Sequence, residues 1–301
     1  MPKHEDWKGN TSGTTWMHHV LIRLFKHIDL RWVYVFMAVF VIPFYLLFSH
    51  RGYLAIYHYF RRRHRYGVWK SFRYTYLNHY RFGQIILDRF AVYAGRQFDF
   101  DLEGNEEFLR LLHGDEGFVI LSCHVGNYEL AGYTFQSVGK PYNALVYSGE
   151  AAAVMENRAR LLSANNIHMI PVSDDMSHVF AINNALSEGE IISIPGDRVF
   201  GSPRTVESRL LGGHIELPYG PYAMAVQRGV PVIAIFVMKT STYRYQVYIR
   251  RLNLYGEQQP LKRQEKIEML ARRFSEELET ILRKYPEQWF NYYDFWHEDR
   301  D

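Results

Sequence analysis

Two regimes of apolar patterning divide the chain. From Trp32 to Phe48 there are 17 consecutive residues without a charge, at the lower edge of the about 17–25 that cross a bilayer core. After residue 100 the apolar runs shorten to strand length. Phe118–Cys123, Ala144–Tyr147, His168–Val172, Ile191–Pro195, Pro231–Met238 and Tyr243–Arg250 predict strands. Several are unbroken apolar runs, which suits a buried, largely parallel sheet. Helical periods lie between them at Ala151–Asn165, Met176–Glu188 and Tyr222–Arg228. Asn253–Pro260 reads as a polar loop before a last helix, where Ile267, Leu270, Phe274, Leu278 and Ile281 recur every three or four residues. The alternation predicts the α/β class: a single layered domain with a mostly parallel central sheet flanked by helices, plus an N-terminal aromatic membrane-anchoring helix. The regions expected are a mobile leader (1–15), the anchor with basic and aromatic interfacial helices (16–82), and the α/β body with its C-terminal amphipathic helix (83–301). The chain shows no internal repeat and no low-complexity linker.

The flanks sharpen the reading of the apolar run. Arg51, Arg61, Arg62, Arg63, Arg65, Lys70 and Arg73 follow it, against Arg23, Lys26 and Arg31 before it. For a spanning helix this bias places everything after residue 50 in the cytoplasm. Tyr53, Tyr57, Tyr59, Phe60, Tyr66, Trp69, Phe72, Tyr74 and Tyr76 interleave with the basic residues, as a surface facing anionic headgroups requires. Pro43 offers a second arrangement, a kinked helix lying in one leaflet. The bland alternatives are a buried core helix and a solvated charge run. A signal peptide fits poorly, because the run is long for an h-region and no small-residue cleavage site follows.

Composition adds two limits. The 301 residues include 6 Trp, 23 Tyr and 20 Phe, and 48% are hydrophobic, enough for a large core. A net charge of +3 gives no reason to expect nucleic acid as a partner. The one cysteine, Cys123, rules out an intrachain disulfide framework and a multi-cysteine metal site, and fits a reducing compartment.

The richest chemistry lies in Leu121-Ser-Cys-His-Val-Gly-Asn-Tyr-Glu-Leu130. An apolar strand ends at Cys123, which sets His124 at the C-terminal edge where open α/β sheets gather their active groups. Gly126 and Asn127 suit a tight turn and a helix N-cap. On one regular helix His124 and Glu129 would stand about 140° apart, so they meet only if His124 sits on the turn. A carboxylate beside an imidazole fixes its tautomer and makes it a competent general base. The turn amides near Gly126 and Asn127 are candidate oxyanion donors. A second cluster, Ile194-Pro-Gly-Asp197-Arg198, again follows a strand, and the planar fork of Arg198 suits a phosphate. Glu156-Asn157-Arg158-Ala-Arg160 lies on a predicted helix, and Gly229-Val-Pro-Val232 turns into a buried strand. Cys123 neighbours His124 on a strand end and points to the opposite face, against a nucleophilic role.

His124 with Glu129 five positions on resembles the HxxxxD/E signature of the lysophospholipid acyltransferase superfamily. Cys-His-Val-Gly-Asn-Tyr-Glu is similar to the branch of late acyltransferases of lipid A biosynthesis. The chain order agrees: aromatic anchor, His124/Glu129, Asn157-Arg158, the Gly-Asp-Arg turn at 196–198, the Val-Pro-Val start at 230–232, and Tyr285-Pro-Glu-Gln-Trp-Phe290. The resemblance covers roughly residues 20–296. It departs at Glu129, which replaces the Asp of the glycerolipid branch, and after Trp289, where Phe-Asn-Tyr-Tyr lacks the usual Trp/His pair.

The resemblance implies His124 as general base with Glu129 as its orienting carboxylate, and Arg158, Asp197 and Arg198 as substrate-binding positions, to which the turn reading adds Gly126 and Asn127. It implies transfer of an acyl chain from acyl carrier protein, or from acyl-CoA as co-substrate, to a membrane lipid hydroxyl. No cofactor or metal is implied, and the expected form is a monomer on the cytoplasmic face of a bacterial inner membrane. The alternatives are an N- or O-acyltransferase for an aminolipid, glycerolipid or pigment lipid, and a catalytically inactive lipid-binding protein. No G-x-S-x-G elbow supports a lipase, and no H-E-x-x-H spacing a zinc hydrolase.

Overall fold

The computed structural model describes residues 15–48, 50–130, 140–147, 167–172, 177–199, 204–253 and 261–296. The chain opens with helices α1 (Thr15–His27), α2 (Leu30–Phe36) and α3 (Ile42–Phe48), the last two joined through a π turn at Met37–Val41 into one apolar helix. Next come α4 (His50–His58), continued by a second π turn at Tyr59–Arg63, and α5 (Val68–Tyr93). The body follows as β1 (Asp99–Glu103), α6 (Asn105–His113), β2 (Phe118–Ser122), β3 (Tyr142–Tyr147), β4 (Ile167–Val172), α7 (Ser177–Ser187) and β5 (Ile191–Pro195). It closes with the β6 (Thr205–Leu210)–β7 (Gly213–Pro218) hairpin, α8 (Tyr219–Arg228), β8 (Val232–Lys239), β9 (Arg244–Arg251) and α9 (Arg263–Lys284).

The seven-stranded sheet runs β1-β9-β8-β2-β5-β3-β4, and only the β8–β9 pair is antiparallel. The expected α/β architecture with a mostly parallel sheet is therefore present. Each strand read from an apolar run is found, with bounds shifted by no more than two residues. Alternation explains why the runs are unbroken. Val119 and Leu121 of β2 and Ala234 and Phe236 of β8 face one core with α9, while Phe118, Ile120, Ile233 and Ile235 face the other with α6. Both faces are covered, so neither alternate position is polar. β1, α6 and the β6–β7 hairpin, rich in charged residues, carry no such signal. The expected helix 151–165, Met176 and most of the loop at 253–260 fall outside the described residues, as does the leader apart from Thr15.

The N-terminal helices pack on the body through α5, which runs unbroken across the expected boundary at residue 82. α5 is patterned inside out. Ser71, Thr75, Asn78, His79, Gln84 and Asp88 are buried, whereas Trp69 is 85% exposed and Phe72 is exposed. Leu30, Tyr34, Met37 and Ile42 of the apolar helix pack inward, with Gly83 of α5 making room for Met37. Trp32, Phe36, Phe40, Phe44, Leu47 and Phe48 stay exposed, and only 22% of the most apolar stretch is buried. That exposure removes the core-helix alternative.

A buried ion pair joins the two layers. Lys239 Nζ at the end of β8 lies 2.5 Å from Asp88 Oδ2 on α5, both side chains fully buried. Tyr34 of α2 and Tyr245 of β9 each donate a hydroxyl to the same carboxylate. Lys239 Nζ also donates to Thr242 O at 3.0 Å. Burial pushes the Asp88 carboxyl up and the Lys239 ammonium down, and each pulls the other back. Removing one member strands the other charge, so Asp88→Ala is expected to cost about 3–5 kcal/mol in denaturant unfolding of the full chain. A loss under about 1 kcal/mol would show that water compensates the lone Lys239.

Candidate active site

β2 and β5 are parallel neighbours in register, Ser122 opposite Pro195, so the segments leaving them emerge side by side at one sheet edge. His124 follows β2 on a turn and Asp197 follows β5. The Asp197 carboxylate takes two hydrogen bonds from His124: the backbone N–H donates to Oδ2 and Nδ1 to Oδ1, both at 2.9 Å. Asp197 is fully buried while the His124 side chain stays 18% exposed. Nε2 is the ring nitrogen left without a hydrogen bond among the described residues. The Tyr128 ring packs edge-on against the imidazole at 5.2 Å.

Asp197, rather than Glu129, therefore supplies the hydrogen bond that orients His124. The strand–turn–helix geometry is as expected, with helical structure beginning at Tyr128. That opening carries Glu129 toward α5, where its carboxylate meets Arg89 at 2.7 Å. Glu129 acts on His124 through its charge.

Electrostatics suit a neutral base beside a permanent carboxylate. Burial lowers the His124 pKa from its usual 6.5, Asp197 pulls it back up, and Arg198 lowers it further. Burial alone would raise the Asp197 carboxyl, but the His124 charge and hydrogen bonds, with Arg198, bring it down to about 2. The two are consistent because His124 is already cationic at the pH where Asp197 titrates. Cys123 is buried beneath the turn and its thiol is pushed far up by burial and by Asp197. That leaves no thiolate for nucleophilic work.

Two expected oxyanion donors are committed elsewhere. Gly126 N–H donates to Gln288 O at 3.0 Å and Asn127 N–H to Val237 O at 2.7 Å. Gly126 adopts φ +60°, and a side chain there would collide with Val237 O. Asn127 is buried: its Nδ2 donates to the Tyr245 hydroxyl at 3.1 Å, and its carbonyl accepts the Leu130 N–H at 3.0 Å, which puts it at the expected N-cap position. Arg198 is tied to the C-terminal segment. Its Nε donates to Asn291 Oδ1 at 2.7 Å and its Nη2 to Phe290 O at 3.0 Å. Arg158 lies outside the described residues.

The C-terminal segment completes the site. Pro286 opens a short 3₁₀ turn, and the Gln288 side chain then pairs with the backbone of Lys239 through two hydrogen bonds of 2.9 Å. Trp289 bridges Val125, and Phe290 N–H donates to His124 O at 3.1 Å. Arg89 and Asn291 were not expected in the site. Asn291 stood just past the Tyr285–Phe290 motif, in the stretch that departs from the family pattern, whereas Arg89 gave no signal beyond a charge within a long helix.

The family model described as "Bacterial lipid A biosynthesis acyltransferase" matches residues 91–297. That span holds His124, Glu129, Asp197, Arg198 and the C-terminal segment through Asn291, with Arg89 just before it. Comparison with curated proteins gives no match.

His124 is expected to titrate below 6.5 when followed by imidazole NMR in detergent micelles. Asp197→Asn removes the anion that favours the imidazolium, so the midpoint should fall further. A rise in that variant would mean that another anion controls the ring.

Proposed function

The chain belongs to the bacterial lipid A biosynthesis acyltransferase family, and we propose that it moves a fatty acyl chain from acyl carrier protein to a hydroxyl of a lipid A precursor, with His124 as general base. The His124–Asp197 contact carries this reading. Asp197 accepts the Nδ1 proton, which leaves the Nε2 lone pair facing outward, the tautomer a general base requires. Nε2 takes the acceptor hydroxyl proton as that oxygen attacks the thioester carbonyl carbon. The tetrahedral adduct collapses, the C–S bond breaks, and the departing sulfur takes the proton from the imidazolium. This route needs no acyl-enzyme, in keeping with the buried Cys123 thiol.

Glu129 adds negative field to His124 and fixes Arg89 beside the turn. Arg158 remains the cation proposed for a substrate phosphate. The exposed aromatic face of α2 and α3, followed by the Arg61–Arg73 stretch, supports seating at an anionic membrane surface. We assign that surface to the cytoplasmic face of the inner membrane.

The test is transfer from lauroyl-acyl carrier protein to a disaccharide lipid A precursor in micelles, read by mass spectrometry. His124→Ala is expected to lower kcat by about 10²–10⁴, and Asp197→Asn to lose most of the rate. Glu129→Gln should cost less than Asp197→Asn, and the reverse order would return the orienting role to Glu129. Cys123→Ser should stay active, whereas a labelled acyl-cysteine would overturn the direct route.

A further inference from the structure

Asn291 is 1% exposed and held at both ends of its amide. Arg198 Nε donates to Oδ1 at 2.7 Å, and Nδ2 donates to Asp197 Oδ2 at 3.3 Å. Chemistry fixes this orientation. A guanidinium only donates and an ionised carboxylate only accepts, so the amide oxygen must face Arg198 and its nitrogen Asp197. The residue cannot drift from this post. Gln288 O accepts the Gly126 N–H, Trp289 bridges Val125, and Phe290 N–H holds His124 O, so the strip carrying Asn291 is laced to the turn carrying His124.

We propose that Asn291 is a positioning residue that fixes the aim of the Asp197 carboxylate and, through it, sets the basicity of His124. Among the described residues, Asp197 Oδ1 serves the imidazole alone, while Oδ2 is shared between His124 N–H and the Asn291 amide. Three N–H donors thus pin the carboxylate plane so that one lone pair points at Nδ1. The amide also drains negative charge from the carboxylate, because its own oxygen is polarised by Arg198. A less basic Asp197 stabilises the imidazolium less, which keeps the Nε2 lone pair available near neutral pH.

Several other groups face this pair and keep their identity in a variant at 291, though Arg198 there loses its Asn291 Oδ1 acceptor. Glu129 comes from the segment after β2, Cys123 from the end of β2, and Arg198 from the segment after β5. Tyr222 comes from α8 and Tyr293 from the C-terminal segment.

The assignment rests on His124 acting as the base, and its test separates the two claims. Asn291→Leu keeps the bulk and removes both hydrogen bonds. In the full chain in micelles, the His124 imidazole, recognised by its loss in His124→Gln, is expected to titrate about half a unit or more higher in Asn291→Leu. In the lauroyl transfer assay kcat should fall about tenfold with the donor KM within about twofold, and the acid limb of the rate profile should move up with the imidazole. A residue that only filled space would lower the unfolding midpoint and leave the imidazole titration in place. Should Asn291→Leu fail to fold, the wild-type protein still decides: its Asn291 side-chain amide resonance is expected to shift with the His124 midpoint. An amide signal indifferent to that titration, or an unmoved imidazole in Asn291→Leu, overturns the assignment. Wild-type protein that titrates as expected but transfers no acyl chain would instead overturn the acyl-transfer reading.

Discussion

The arrangement depends on one buried charge pair, Asp88 with Lys239. Desolvating both groups is costly, and the cost is offset only because the carboxylate also collects the Tyr34 and Tyr245 hydroxyls while the ammonium donates to Thr242 O. These partners come from α2, α5, β8, β9 and the loop between the last two. Satisfying the pair therefore fixes how the apolar N-terminal helices sit on the sheet. Tyr245 carries the constraint one step further, since its hydroxyl accepts from Asn127 in the turn that bears His124. The apolar N-terminal layer and the turn bearing His124 thus share one hydrogen-bonded core.

α5 makes that sharing possible by reversing the usual patterning of a surface helix. Its polar stripe has partners inside: Asn78 Nδ2 donates to Glu287 O at 3.2 Å and to Trp289 O at 2.5 Å, and Asp88 takes the lysine. Its outward aromatic residues continue the exposed face of the apolar helix.

At the sheet edge, rigidity is bought with backbone pairing. The turn amides at Gly126 and Asn127 are tied to Gln288 and Val237, which removes them as donors to a reacting carbonyl but holds His124 still. The Pro-Glu-Gln motif gains a physical role here. Proline opens a tight turn, and the glutamine side chain completes the hydrogen bonding of the Lys239 backbone, which leads the chain back across the turn bearing His124.

The sequence by itself determined the layered fold, because strands buried on both faces must be apolar at every position, and it placed His124 at a sheet edge because the run before it ends there. It also located the acidic and basic turn at Asp197–Arg198 and the aromatic helix. It missed β1, α6 and the β6–β7 hairpin, whose charged residues break the apolar signal. Only the tertiary structure decided which carboxylate meets the imidazole. Glu129 is five residues away and turns to Arg89, whereas Asp197 is 73 residues away and arrives because β2 and β5 are hydrogen-bonded neighbours. Strand order, the buried pair at Asp88 and Lys239, and the Asn291 amide at Asp197 all join residues far apart in the chain, and local periodicity carries no record of such distances.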